Sequence, residues 1–349
     1  MTTSINLLKR LFWNSTEQRL RTIWRLGLFV GSFIMLTVIC FVILLFLAVM
    51  TDDIFGLKPQ HLIAGLQPMQ IMENPWVGSL VIPGAICMGT IAATFLIGKW
   101  IDRRRFIDFG FKFSKIWWKD FSFGIALGAL LMGLIFLFGW ITGTINPRGY
   151  FVSFRGDVSF AAGIIQSLLL YVFVGVYEEI LFRGYLLLNL AEGLNNKILG
   201  KRWALVATIA LTSLVFGWLH LDNPNATWVS TVNIAFAGIF LGLGMFLTGS
   251  LAIPIGLHIS WNIFQGNVFG FPVSGMVNGA TIIATESVGP AWLTGGAFGP
   301  EGGAFGLMAI ILGSGLILLW VRIRGRLYLQ TNLAVFEPVP MGNKKNPAS

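Results

Sequence analysis

The sequence predicts an all-α polytopic membrane protein with about eight transmembrane helices. Two observations carry that expectation. Hydrophobic residues make up 55% of the chain and charged residues only 11%, with a mean hydropathy of +0.77, whereas soluble domains carry about 25% charged residues. Apolar runs of spanning length also recur along the chain, and the short loops between them alternate between rich and poor in Lys and Arg. That alternation is the positive-inside pattern. The 349 residues fit one membrane domain. No soluble domain and no internal repeat stands out.

Residues 1–25 carry Lys9, Arg10, Arg19, Arg21 and Arg25 and read as a basic, amphipathic cytoplasmic segment. A membrane domain follows over 26–326. Its first span runs from Leu26 to Met50, long enough to cross. Nothing like a small-residue cleavage site comes after it, so it reads as a signal anchor. Residues 51–75 hold Asp52, Asp53 and Glu73 against Lys58, which places them outside. The second span, Trp76 to Trp100, ends in Lys99-Trp-Ile-Asp-Arg-Arg-Arg105, with Lys112, Lys115 and Lys119 beyond. This is the strongest cytoplasmic signal in the chain. The third span, Phe121 to Ile141, carries Gly124, Gly128 and Gly133, whose spacing lets helices approach closely.

An outer loop covers 142–159, where Arg148 and Arg155 run against the charge rule. The fourth span covers about 160–190 and exits at Lys197, Lys201 and Arg202. The fifth runs from Trp203 to about His220 and stops at Asp222-Asn-Pro224. The sixth covers about Val232 to Leu247. The seventh starts near Pro254, a favoured first-turn position, and ends near Val268. Residues 270–306 form a Gly- and Pro-rich outer loop with Glu286 and Glu301 and no Lys or Arg. The last span, Leu307 to Ile323, leads to Arg322, Arg324 and Arg326. The tail 327–349, with Lys344 and Lys345, reads as disordered. Both termini are then cytoplasmic, and the cell membrane is the expected location.

The net charge of +9 does not point to nucleic acid. The basic residues flank spans, so their partners are membrane lipid headgroups. Cys40 and Cys87 lie in apolar runs, too few for a disulfide framework or thiolate metal site. Nothing nearby would activate either as a nucleophile.

The chemistry concentrates inside the spans. Glu178 and Glu179 interrupt the fourth one, with Arg183 just beyond. Ionisable groups in a bilayer are expensive and mark functional sites. Glu179 and Arg183 are i,i+4 and share a helix face, while Glu178 points about 100° away. The arginine can therefore neutralise one carboxylate and leave the other free. The same residues also fit a buried pair that only orients two helices. Of the three histidines, His61 lies in an outer loop and is assigned nothing. His220 closes Phe216-Gly-Trp-Leu-His220, and His258 opens His258-Ile-Ser-Trp-Asn262, each with its partner at i,i+4. Glu, His, His and Asn are the inventory that activates water and holds an oxyanion. Imidazole and carboxylate also suit a divalent metal such as zinc.

Other hydrolytic patterns are missing. There is no His-Glu-x-x-His helix, Ser274 lacks the first glycine of a rhomboid-type serine motif, and the apolar spans hold no aspartate for an aspartyl protease. The Gly-rich stretch at 295–303 lacks the ending of a phosphate-binding loop.

The series Glu178-Glu179-x-x-x-Arg183, Phe216-x-x-x-His220 and His258-x-x-x-Asn262 resembles the CAAX protease and bacteriocin-processing family of intramembrane proteases. That family, also called Abi or CPBP, includes the type II CAAX prenyl proteases. The motifs cover residues 175–265. The resemblance implies an eight-helix fold with a polar intramembrane cavity and hydrolysis of a peptide bond within it. By position, Glu178 would be the base that activates water, supported by Glu179 and Arg183. His220 would help hold the water or a metal, and His258 and Asn262 would stabilise the oxyanion. A zinc ion held by Glu178, His220 and His258 is the competing account to a glutamate-activated water. Nothing in the sequence specifies the peptide substrate or an oligomeric state.

One expectation conflicts with these. Glu178 lies about 18 residues into a helix that starts outside, about 27 Å deep, and His220 a similar distance into one that starts inside. Straight helices would put the two near opposite faces, unless Gly175 or Gly217 permits a kink. The alternative reading is a non-enzymatic scaffold or a transporter. A transporter of the common type would show repeated halves or matched broken helices, and neither is visible.

Overall fold

The structure, a computed structural model, describes residues 11–50, 76–154, 156, 158–325 and 327–337. The expectations on Lys9, Arg10, the segment 51–75 with His61, Arg155, Arg326 and the tail beyond 337 lie outside the described residues.

Each expected span is a helix. They are α1 (Thr22–Met50), α2 (Val77–Asp102), α3 (Lys115–Ile141), α4 (Phe160–Leu194), α5 (Gly200–Trp218), α6 (Trp228–Thr248), α7 (Ala252–Ile263) and α8 (Ala304–Arg324). All but α5 and α7 are long and apolar enough to cross a membrane, six against the eight expected. The chain is thus a mostly helical integral membrane protein. α5 opens on Lys201 and Arg202. α7 has only 12 residues, and a widened turn, Phe264–Val268, continues it. Its residues from Ala252 to Ser260 are all buried, because α3, α4 and α6 pack around it.

The glycines of α3 explain that packing in part. A Cβ on Gly128 would lie 2.0 Å from the Ser260 hydroxyl, and one on Gly124 2.6 Å from the Ile253 carbonyl. Gly133 does not join them, since nothing lies within 4 Å of its Cβ position. Helix starts are capped as their sequences require: Ser114 accepts from Trp117 N (3.2 Å), and Thr227 with Ser230 forms a capping box at α6.

The fold is not purely α. A short hairpin pairs β1 (Trp13–Asn14) with β2 (Arg19–Leu20). A longer antiparallel pair joins β3 (Ile145–Ser153) to β4 (Ala280–Ser287), two segments expected to be loops. Ala280-Thr-Ile-Ile-Ala-Thr-Glu-Ser287 is rich in β-branched residues, which favour strands. Its partner lies far away in sequence, so no local turn marks the pairing. The register slips between Pro147 and Gly149, a place where a residue without an N–H is tolerated. Arg148 pairs with Glu286 across this sheet. Its presence in a loop of the non-basic class is thereby explained by a neighbour rather than by topology.

At the other end of the bundle, buried ion pairs join α1, α2 and α4. Arg19 meets Glu192 at 2.5 Å, Arg25 meets Asp102 at 2.9 Å, and Arg104 also contacts Glu192. Arg19 and Arg25 are each 1% exposed. The described part of the basic N-terminal segment is therefore a hairpin tied into the core, not a surface-lying stretch. Burial lowers the Arg19 and Arg104 guanidinium pKa values to about 10, which leaves both charged at neutral pH. Residues 327–337, the described part of the tail expected to be disordered, pack against the bundle. Ala334 O accepts from Asn195 Nδ2 (2.8 Å), and the Phe336 ring lies 3.5 Å from the Arg19 guanidinium. Aromatic and small apolar residues, overlooked beside the terminal lysines, anchor it.

Candidate active site

Glu178 and Glu179 end the regular part of α4, which Ser159 caps. Over Ile180–Leu186 the helix widens into π-type turns, a feature frequent at functional sites. Gly175 sets the distance to α7. A Cβ there would lie 2.6 Å from Ile259 Cγ1 and 3.0 Å from Ile259 N, so only glycine lets α4 approach this closely. That approach brings the glutamate pair beside His258.

Glu179 is fully buried, and its Oε1 accepts two hydrogen bonds. One comes from Arg183 Nη1 (2.9 Å) and the other from His258 Nδ1 (2.8 Å). The Arg183 pair was expected from the i,i+4 spacing; the histidine was not. Arg183 Nη2 also donates to Gly238 O on α6 (3.0 Å). A carboxylate only accepts, so His258 carries its proton on Nδ1 and turns Nε2 toward Glu178. The separation from His258 Nε2 to Glu178 Oε2 is 3.8 Å. Glu178 Oε2 is itself buried and has no hydrogen-bond partner.

Phe216 holds the site from the α5 side. Its ring centroid lies 4.5 Å from the Arg183 guanidinium, 4.8 Å from the His220 ring and 6.5 Å from the His258 ring. His220 stands in the turn after α5, where its Nδ1 donates to Phe216 O (2.7 Å). Its Nε2 is then the nitrogen left for other partners.

A cavity of about 370 Å³ collects these residues. Glu178, His220, His258 and Asn262 all line it, among mostly apolar side chains. Glu179 and Arg183 are buried behind it. Despite the depths expected for them, Glu178 and His220 line one cavity. α4 is 35 residues long, so Glu178 falls at its middle, and the cavity extends from there to the end of α5. Gly217, like Gly175, serves close packing: its Cβ would lie 2.7 Å from Thr231 O. Among the described residues, no group of three or more His, Cys, Asp or Glu is placed to hold a metal ion. Glu178, His220 and His258 share the cavity but do not form a ligand set in this geometry.

Sequence reasoning missed the contribution of 270–306. Ser274 and Glu301 line the same cavity, and Glu301 is only 5% exposed. The available signal was an acid flanked by glycines in a loop without bases, and it was read only as a marker of topology.

No curated protein and no solved structure matches the chain. Residues 160–264, which hold all three motifs, match the family model described as Type II CAAX prenyl endopeptidase Rce1-like and carry a domain of that family.

Proposed function

We propose that the protein is an intramembrane endopeptidase that cuts a membrane-associated, prenylated-type peptide or protein with a water activated by Glu178. One observation carries the reading: the buried, partnerless Glu178 Oε2 faces His258 Nε2 across 3.8 Å in a cavity. A water bridging the two atoms, about 2.8 Å from each, would supply the missing hydrogen bond. The family match over 160–264 supports the same chemistry.

The steps follow from the side chains. Glu178 takes a proton from the water as its oxygen attacks the scissile carbonyl carbon. The carbonyl oxygen becomes an oxyanion and accepts hydrogen bonds from Asn262 and from Nε2–H of His258, whose ring carries this second proton beside the Nδ1–H held by Glu179. As the C–N bond breaks, Glu178 returns the proton to the leaving amine. Arg183 neutralises Glu179, so that Glu179 can hold the His258 ring without adding a second free negative charge beside the base. The apolar lining excludes bulk water and strengthens these interactions. A zinc ion would require Glu178, His220 and His258 to draw together as ligands.

The test is cleavage of a membrane-delivered peptide by purified protein, with and without chelator. Glu178→Gln should lose on the order of 10²–10⁴-fold, the usual worth of general-base catalysis, while remaining folded. Chelator should have no effect; inhibition reversed by zinc would favour the metal account. Cleavage by Glu178→Gln at the wild-type rate would leave the scaffold reading as the better one.

A further inference from the structure

Glu301 is an ionisable group of the cavity that the hydrolytic steps leave unused. It sits in the turn Pro300–Gly302 just before α8. The neighbouring loop is shaped around one of its oxygens. Glu301 Oε1 accepts from Ser274 N (2.5 Å) and Ser274 Oγ (3.0 Å). Ser274 holds a left-handed backbone, with φ at 48°, a conformation that costs a non-glycine residue free energy. Its own carbonyl accepts from Asn223 Nδ2 (3.1 Å), in the turn that carries His220.

The other oxygen, Oε2, is buried and has no hydrogen-bond partner. Among the described residues no Lys or Arg pairs with Glu301. Gln265 stands within hydrogen-bonding reach of the carboxyl, but its Nε2 is committed to Pro272 O at 2.6 Å. A carbonyl only accepts, which fixes that amide orientation and leaves Gln265 Oε1 without a donor. Glu301 Oε2 and Gln265 Oε1 are thus two buried acceptors without a hydrogen-bond partner, and Glu301 lines the cavity. Native structures rarely leave such groups unpaired without a reason.

We propose that Glu301 selects the substrate: its carboxyl receives the cationic side chain of a Lys or Arg carried by the peptide beside the scissile bond. This rests on the endopeptidase reading. An arriving ammonium or guanidinium supplies the missing donors and the counter-charge together. Burial raises the Glu301 pKa, and the hydrogen bonds from Ser274 oppose it.

The test uses the full chain and matched peptides that carry Lys or norleucine, the same four-carbon stem without the ammonium, scanned across the positions around the cut. The wild type should favour Lys in kcat/KM by about 10- to 100-fold at one position, as a charge-assisted hydrogen bond would give. In Glu301→Gln that ratio should fall toward one. A purely structural role would lower both peptides alike and leave the ratio intact, which would overturn the proposal, as would a wild type without preference. A second arm needs no variant: hexylammonium should inhibit the wild type far more than hexanol, and equal inhibition would also overturn it. If the wild type cleaves no peptide, the endopeptidase reading has failed, and Glu301 is judged by thermal shift. Stabilisation of the wild type by hexylammonium and not by hexanol then upholds the cation site, and its absence refutes it.

Discussion

Replacing the Glu179–Arg183 pair separates what it does for the fold from what it does for the chemistry. Glu179 is fully buried and Arg183 is 3% exposed at the side chain, with 2.9 Å between them. Breaking such a pair leaves one buried charge uncompensated, which costs about 3–5 kcal/mol. Glu179→Leu and Arg183→Met should each lose that much in equilibrium unfolding from mixed detergent micelles. The double variant buries no charge at the position. It should recover most of the loss, because replacing a buried pair by apolar residues is often neutral or stabilising.

Activity should follow a different pattern. Glu179 also holds His258 Nδ1 at 2.8 Å. The double variant releases that ring, so kcat/KM per folded molecule should stay about 10²-fold down, the cost of a misplacement near 1 Å. Arg183→Met keeps the histidine contact and should lose less per folded molecule. A double variant that cleaves like wild type would refute the positioning role of Glu179. Single variants as stable as wild type would refute the energetic argument for the buried pair.

Three further outcomes are expected. Gly175→Val should force α4 away from Ile259, costing about 1–3 kcal/mol of stability and lowering cleavage because Glu178 moves from His258; unchanged stability would show that the helices have room to spare. His258→Ala and Asn262→Ala should each lose on the order of 10²–10³-fold, and the double variant far less than the product, read as kcat/KM in one assay. A cysteine at Lys112 should be labelled by an impermeant thiol reagent from the cytoplasmic side and one at Val277 only from the opposite side; the reverse result would invert the topology drawn from the charge pattern.

The sequence was most legible where one helix face carries the information. The i,i+4 spacings gave the Glu179–Arg183 pair and the direction of Glu178 because they depend only on helical geometry. All eight segments expected to span are helices, though only six are long and apolar enough to cross, and the largest boundary change is at α3, which begins at Lys115 rather than Phe121. Basic residues at a helix end made that start look like loop. Contacts between distant segments were not legible. The β3–β4 pairing, the turn of Glu301 into the cavity and the bond from His258 to Glu179 each join residues whose separation carries no periodic signal. Charge patterning was silent on partners for a related reason. It assigns each ion to a side of the membrane, whereas Arg19, Arg25 and Arg148 are spent on particular partners within the protein.

Arg183 shows why the three motifs belong together. Its guanidinium meets Glu179 on its own helix, Gly238 O on α6 and the Phe216 face at the end of α5, and through Glu179 it bears on His258 of α7. Four helices are tied to one planar cation. A lysine is a point charge without the rigid fork that serves a carboxylate and a carbonyl at once, and it stacks less well on a ring. Phe216 covers guanidinium surface that no acceptor reaches, which accounts for an aromatic residue four places before His220. This cation is spent on Glu179, and among the described residues no arginine pairs with the adjacent carboxylate. Glu178 therefore reaches the cavity with one oxygen unpartnered, the condition a general base needs before water and substrate arrive.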